Sequence, residues 1–229
     1  PKKSLGETVF PPNPNPPLPP QKSIDLKELD MQDLRRLIDT AVTITNGISE
    51  MGKNRGTVVF GTSQRVNELS PLIKGSTKVM AQLSQTIVSG GSGGAMEMAH
   101  EAARKAGAFS IGVPMGGVFK PKREDSISRH VQDLTVVSNG YESRIPLLLH
   151  QRDYVLVVPG GNGTMQEVAT ALLWMSAQSN PPPKMIFVGD FYYGSLVGFF
   201  ESAPDVIRKN IVFAKDARDL ERQIKDLDP

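Results

Sequence analysis

Five consecutive apolar residues, Tyr154, Val155, Leu156, Val157 and Val158, run without a break into Pro159-Gly160-Gly161-Asn162-Gly163-Thr164-Met165-Gln166-Glu167. A short, continuous apolar run is the mark of a strand buried on both faces, and such strands belong to parallel sheets covered by helices on either side. The glycines that follow make a tight turn, and Thr164 is positioned to open a helix. The same order recurs along the chain. Strands are expected near 57–60, 86–88, 109–113, 134–137, 154–158, 184–188 and 211–213. Helices are expected near 68–83, 95–105, 141–150, 164–177, 193–202 and 217–225. Joined by right-handed crossovers, this alternation gives an α/β fold: a doubly wound, mostly parallel, Rossmann-like sheet.

Ahead of the alternating region the chain reads differently. Residues 1–24 carry Pro11, Pro12, Pro14, Pro16, Pro17, Pro19 and Pro20, a density that favours an extended arm and forbids helix or central strand. Such an arm is either a loose terminus or a strap across a partner subunit. Leu34, Leu37, Ile38, Ala41, Ile44 and Ile48 then recur at steps of three and four, which predicts an amphipathic helix over 31–50. The expected organisation is an arm over 1–24 and a single domain over 25–229.

Composition narrows the chemistry. With no cysteine in 229 residues, disulfides, thiolate metal sites and cysteine nucleophiles are excluded. A net charge of +2 gives no support to nucleic acid or a membrane surface as partner. His100, His130 and His150 lack metal-ligand spacing, so no metal is expected. No apolar stretch reaches membrane-spanning length and the first residues lack a signal-type apolar core, so a cytoplasmic protein is expected.

In an open α/β sheet, ligands sit beyond the carboxyl ends of the strands. Two glycine-rich turns fall there: one with Gly91, Gly93 and Gly94 after the second strand, the other with Gly160, Gly161 and Gly163 after the fifth. Each precedes a helix, whose first N–H groups and dipole attract an anion, and glycine lets a phosphate approach the backbone. Neither turn is a dinucleotide fingerprint. G-x-G-x-x-G begun at Gly91 ends on Met96, and begun at Gly161 it ends on Gln166. No Gly-Lys-Ser/Thr follows either turn, so a P-loop is absent too. A loop over 114–130 with Lys120, Lys122, Arg123 and Arg129 reads either as a solvated loop or as a lid over a phosphorylated ligand.

Two charged residues invite both structural and functional readings. Thr164-Met165-Gln166-Glu167 is T-x-x-E, a capping box that would by itself account for the glutamate. The same carboxylate, beside a phosphate turn, could instead activate water or stabilise positive charge at a sugar's anomeric carbon. Spacing alone leaves both open. Arg144 falls at the start of the helix after the fourth strand, where it opposes the dipole; it is a surface arginine or a guanidinium facing the ligand edge. Leu172, Leu173, Trp174 and Met175 read as the core face of a helix, or as part of a subunit interface.

The order P-G-G-x-G-T-x-x-E over 159–167 resembles the signature of the LOG-type phosphoribohydrolases, also described as lysine decarboxylase-like. Gly61-Thr62-Ser63 after the first strand, the loop Ser89-Gly90-Gly91-Ser92-Gly93-Gly94-Ala95-Met96-Glu97, and Arg144 fifteen residues before Pro159 extend the resemblance from about 56 to about 214. Ile145 stands where the family usually has lysine, and Met96-Glu97 resembles the broad bacterial-type set, which includes nucleotide nucleosidases.

The resemblance implies hydrolysis of the N-glycosidic bond of a nucleoside 5′-monophosphate, giving free base and ribose 5-phosphate. It implies Glu167 and Arg144 as catalytic residues, the glycine turns and Thr164 on the phosphate, and Gly61, Thr62, Ser63 and Met96 beside the nucleoside. It also implies a homodimer and no organic cofactor. Nothing supports decarboxylation, because no lysine sits in a recognisable cofactor motif. The competing expectation is a protein of the same fold that binds a nucleotide or cofactor without catalysis, such as a molybdenum-cofactor carrier or nucleotide sensor.

Overall fold

In the computed structural model the described residues are 31–52, 55–64, 67–116, 131–177, 182–201 and 203–227. The proline-rich arm and most of the basic loop, including Lys120, Lys122, Arg123, Arg129 and His130, lie outside them. The chain divides into two units, Pro1–Arg36 and Leu37–Pro229. Of the first, only the opening of a helix, residues 31–36, is described. The second carries the sheet and the site.

Seven strands form one sheet: β1 (Gly56–Phe60), β2 (Thr86–Ser89), β3 (Phe109–Gly112), β4 (Leu134–Thr135), β5 (Arg152–Val157), β6 (Lys184–Val188) and β7 (Ile211–Ala214). Their order is β4-β3-β2-β1-β5-β6-β7, and every neighbouring pair is parallel. The helices are α1 (Met31–Met51), α2 (Ser70–Ser84), α3 (Ala95–Lys105), α4 (Tyr141–Leu149), α5 (Asn162–Ala177), α6 (Asp190–Glu201), α7 (Asp205–Arg208) and α8 (Ala217–Leu227). None among the described residues is long and apolar enough to cross a membrane.

Side chains alternate across a strand, so one apolar run supplies two cores. Val58, Phe60, Val155, Val157 and Phe187 face one way, against Leu147 and Leu148 of α4 and Val168, Ala171 and Met175 of α5. Val59, Leu156, Val158, Ile186 and Val188 face the other way, against Ile73 and Met80 of α2, Met98 and Ala99 of α3, and Leu220 and Ile224 of α8. The doubly wound sheet expected from the sequence is present, with both faces covered.

The differences lie at element ends and on two helices. Helix α5 begins at Asn162 rather than Thr164, and α6 at Asp190 rather than 193. Residues Asn67–Leu69 form a 3-10 turn ahead of α2, which therefore starts at Ser70 and not near 68. The short α7 was not anticipated; its four residues are too few to show a period. Along α1, Leu37 and Ile38 of the expected amphipathic face are exposed, whereas Gly47 and Met51 are buried. Gly47 lies against Leu147 and Val136, where a larger side chain would collide. On α5, Met175 is fully buried, but Leu173 is 72% exposed and does not belong to the core face.

Candidate active site

The loops after β1, β2, β3 and β5 converge at the carboxyl edge of the sheet, around the point where the order reverses between β1 and β5. Thr62 binds three segments together. Its N–H donates to the Pro159 carbonyl at 3.3 Å, its carbonyl accepts the Ala95 N–H at 2.8 Å, and its Oγ1 accepts the Gln64 N–H at 3.1 Å. The first turn of α3 is thereby tied to the turns on β1 and β5. Below the β5 turn, the Tyr192 hydroxyl donates to the Val158 carbonyl at 3.2 Å, and burial pushes its pKa up to about 12.

A cavity of about 720 Å³ opens over these loops. Gly61, Thr62 and Ser63 line it from β1, Gly93 and Met96 from the start of α3, and Gly161, Gly163 and Thr164 from the start of α5. Arg144 and Glu167 complete the set that the sequence singled out. Gly91, Gly94 and Gly160 are not on the wall. Gly91 is held from behind, its N–H on Ser89 Oγ at 3.1 Å and its carbonyl accepting from Gln132 Nε2 at 3.0 Å. Gly94 caps α3 against the 62–64 turn, and Gly160 abuts the Thr164 hydroxyl. Gln64, Ser92, Pro114, Met115, Tyr141 and Asn162, to which the sequence assigned no place in the site, also line the cavity. Ser92 and Asn162 sit inside the two glycine motifs, and Pro114 and Met115 lie just beyond β3, so their place at the carboxyl edge was a usable signal.

Steric need does not account for the glycines at 161 and 163 in the β5 turn. A Cβ at either would meet nothing within 4 Å, and neither has a left-handed backbone. Neither packing nor local conformation requires glycine there. What the missing side chains do is leave the first N–H groups of α5 open to close approach.

Glu167 is the sixth residue of α5, and Met165 N–H already bonds to the Gly161 carbonyl at 3.1 Å, so Gly161 is the N-cap. A capping box needs the acid at the third helical position. Thr164-x-x-Glu167 is therefore not one, and the carboxylate is committed elsewhere. Its Oε1 lies 3.2 Å from Arg144 Nη1, with both side chains nearly buried. Burial pushes the Glu167 carboxyl up to about 7, against the opposing pull of the Arg144 charge.

Arg144 is held from two sides. Its Nε donates to the Val113 carbonyl at 3.0 Å, just past β3, while the guanidinium meets Glu167. It also passes so close to Gly90 that any Cβ there would overlap Nη2 and press on the Met96 sulfur. Glycine at 90 is thus required by a close approach. The arginine is not a surface residue, and Ile145, in the family's lysine position, packs into the core.

The second glycine loop rests on a buried pair. Ser89 Oγ and His100 Nε2 are 2.7 Å apart, and Ser89 Oγ also accepts the Gly91 N–H. The hydroxyl has one proton and two lone pairs, so it can hold the Gly91 N–H and the imidazole nitrogen together. Burial holds the His100 pKa down at about 4, so the ring stays uncharged at neutral pH. Among the described residues no group of three or more His, Asp or Glu gathers as a metal site.

The profile of the SLOG cluster4 family matches residues 54–176, the span that carries these loops. An Arabidopsis thaliana protein named cytokinin riboside 5′-monophosphate phosphoribohydrolase LOG7 is 26% identical over 149 residues, covering 62% of this chain and 67% of its own. The molybdenum cofactor binding protein of Rippkaea orientalis superposes with a TM-score of 0.55 at 21% identity, over 75% of this chain and 94% of that one. The molybdenum cofactor carrier protein of Chlamydomonas reinhardtii gives 0.56 at 20% identity, over 76% and 98%. At these identities the two structures report the fold.

Proposed function

The chain belongs to the SLOG cluster4 family, and we propose that it hydrolyses the N-glycosidic bond of a nucleoside 5′-monophosphate, releasing the base and ribose 5-phosphate. The observation that carries this reading is the buried Arg144–Glu167 pair on the cavity wall, less than two helical turns from the open start of α5. A carboxyl perturbed by burial and matched to a specific cation in a cleft is the signature of a working acid–base group. The likeness to LOG7 supports the substrate class.

In this mechanism the first N–H groups of α5, with Thr164, bind the 5′-phosphate. Glu167 in its carboxylate form faces the anomeric carbon and stabilises the positive charge that develops as the bond to the base lengthens. Water attacks that carbon while Glu167 accepts its proton. The glycosidic electron pair leaves with the base, and the proton held by Glu167 neutralises the departing nitrogen. Arg144 orients the carboxylate and offers its remaining donors to the leaving base. A pKa near 7 suits a group that takes and returns one proton at neutral pH.

The test is incubation of purified protein with a panel of nucleoside 5′-monophosphates, followed by chromatography for free base and ribose 5-phosphate. Release of both in equal amounts is expected. Tight binding with no base released would instead make the protein a carrier or sensor of nucleotides.

We also infer a homodimer. Leu37, Ile38 and Val42 of α1 and Leu173 of α5 are each more than half exposed, an apolar surface that a two-fold interface would cover. Light scattering at working concentration should return twice the mass of the 24.9 kDa chain; the monomer mass would remove this inference.

A further inference from the structure

The cavity differs chemically from one end to the other. Near β5 it offers Asn162, Gly163 and Thr164 at the start of a helix. Toward β3 and β4 the described wall turns apolar: Pro114 and Met115 after β3, and Tyr141 at the first position of α4. Strands lie about 4.8 Å apart, so the three steps from β5 to β3 span roughly 14 Å. That suits a molecule with an anionic head and a flat apolar tail. Arg144 reaches the Val113 carbonyl beside that apolar end, and its guanidinium meets Glu167 of α5.

Tyr141 has no part in the mechanism above. Yet the residue is 39% exposed and lines the cavity, three residues before Arg144, and residues three apart share a helix face. With the phosphate at α5 and the anomeric carbon at Glu167, the base extends toward the β3 and β4 end. The surfaces waiting there are an aromatic face, a thioether and a proline ring.

We propose that Tyr141 stacks on the base of the bound nucleotide, with Met115 and Pro114 completing an apolar sleeve. This rests on the nucleotide reading of the site. Recognition by stacked area favours a purine over a pyrimidine and tolerates substituents on the base edge, because a π-face carries no donor or acceptor code. The polarizable Met115 sulfur suits the same tolerance.

The experiment is calorimetric titration of the wild type, Tyr141→Ala and Tyr141→Phe with adenosine 5′-monophosphate, uridine 5′-monophosphate and ribose 5-phosphate, beside kcat and KM for the adenine nucleotide. Loss of the ring should weaken adenosine 5′-monophosphate about tenfold, the scale of one base–aromatic stack. Binding of ribose 5-phosphate, which has no base, should hold. KM should carry the change rather than kcat, the preference for the purine should shrink, and phenylalanine should restore all three. The stack is overturned if alanine leaves the adenine nucleotide unaffected, weakens ribose 5-phosphate equally, or is not rescued by phenylalanine. A wild type that binds the nucleotide but releases no base defeats the hydrolysis reading alone, and the dissociation constants still judge the stack. A wild type that binds no nucleotide defeats both.

Discussion

Glu167→Gln should bind a nucleoside monophosphate nearly as well as the wild type while losing turnover by on the order of 10²-fold or more, the usual scale for a general base. Glutamine keeps the size of the side chain and still offers Arg144 a carbonyl oxygen, so the buried guanidinium retains a partner beside the Val113 carbonyl. What it cannot do is take a proton from water. Alanine is the poorer probe, because stripping one member of a buried pair strands the other charge and costs on the order of 3–5 kcal/mol of stability. The pH profile gives a second readout with a definite sign. Burial raises the Glu167 carboxyl to about 7, and the base must be ionised, so kcat/KM should rise as pH increases through about 7 and level off above it. That rising limb should be missing from the residual rate of the glutamine variant. Near-normal turnover in Glu167→Gln would leave the pair a structural role only.

Removal of the 5′-phosphate from the ligand should be nearly as damaging to binding. Hydrogen bonds to a charged group are each worth about 1.5–3 kcal/mol, so loss of two at the start of α5 weakens the nucleoside by on the order of 10²-fold or more relative to its monophosphate. The structure supplies a variant that separates this from folding. A Cβ at Gly163 meets nothing within 4 Å, so Gly163→Val brings no clash at its Cβ and adds methyl groups on the cavity wall where the phosphate would lie. Its melting temperature should not fall below that of the wild type, because valine is no poorer a helix former than the glycine it replaces. Its affinity for the monophosphate should fall toward that of the nucleoside. Equal affinity of the wild type for nucleoside and monophosphate would remove the anion site and the substrate class with it.

Much of this protein was legible in the residue order because its strands are short, mostly apolar and separated by helices. Seven such runs admit little besides a parallel sheet covered on both faces, and the glycine turns must then fall at its carboxyl edge. Element ends were harder to read. The first turn of α5 is Asn162-Gly163-Thr164, poor helix formers held helical by the turn before them, so propensity set the start two residues late and produced a capping box that does not exist. Leu37 and Ile38 mark another limit: their periodicity gives an amphipathic helix, but period does not say which neighbour covers the apolar face.

The pairing of Arg144 with Glu167 lay beyond what spacing can carry. Arg144 and Glu167 are 23 positions apart in the chain, and only the parallel ordering of β3, β2, β1 and β5 brings their helices to one cavity. The raised carboxyl, the arginine clamped by the Val113 carbonyl, and the glycine that must be absent of side chain at 90 all follow from burial and close approach. Those are properties of packing among distant segments, where desolvation and contact distance are decided by the assembled sheet. A linear motif names the residue types; whether an acid is buried against an arginine or left in solvent depends on which loops the fold brings beside it.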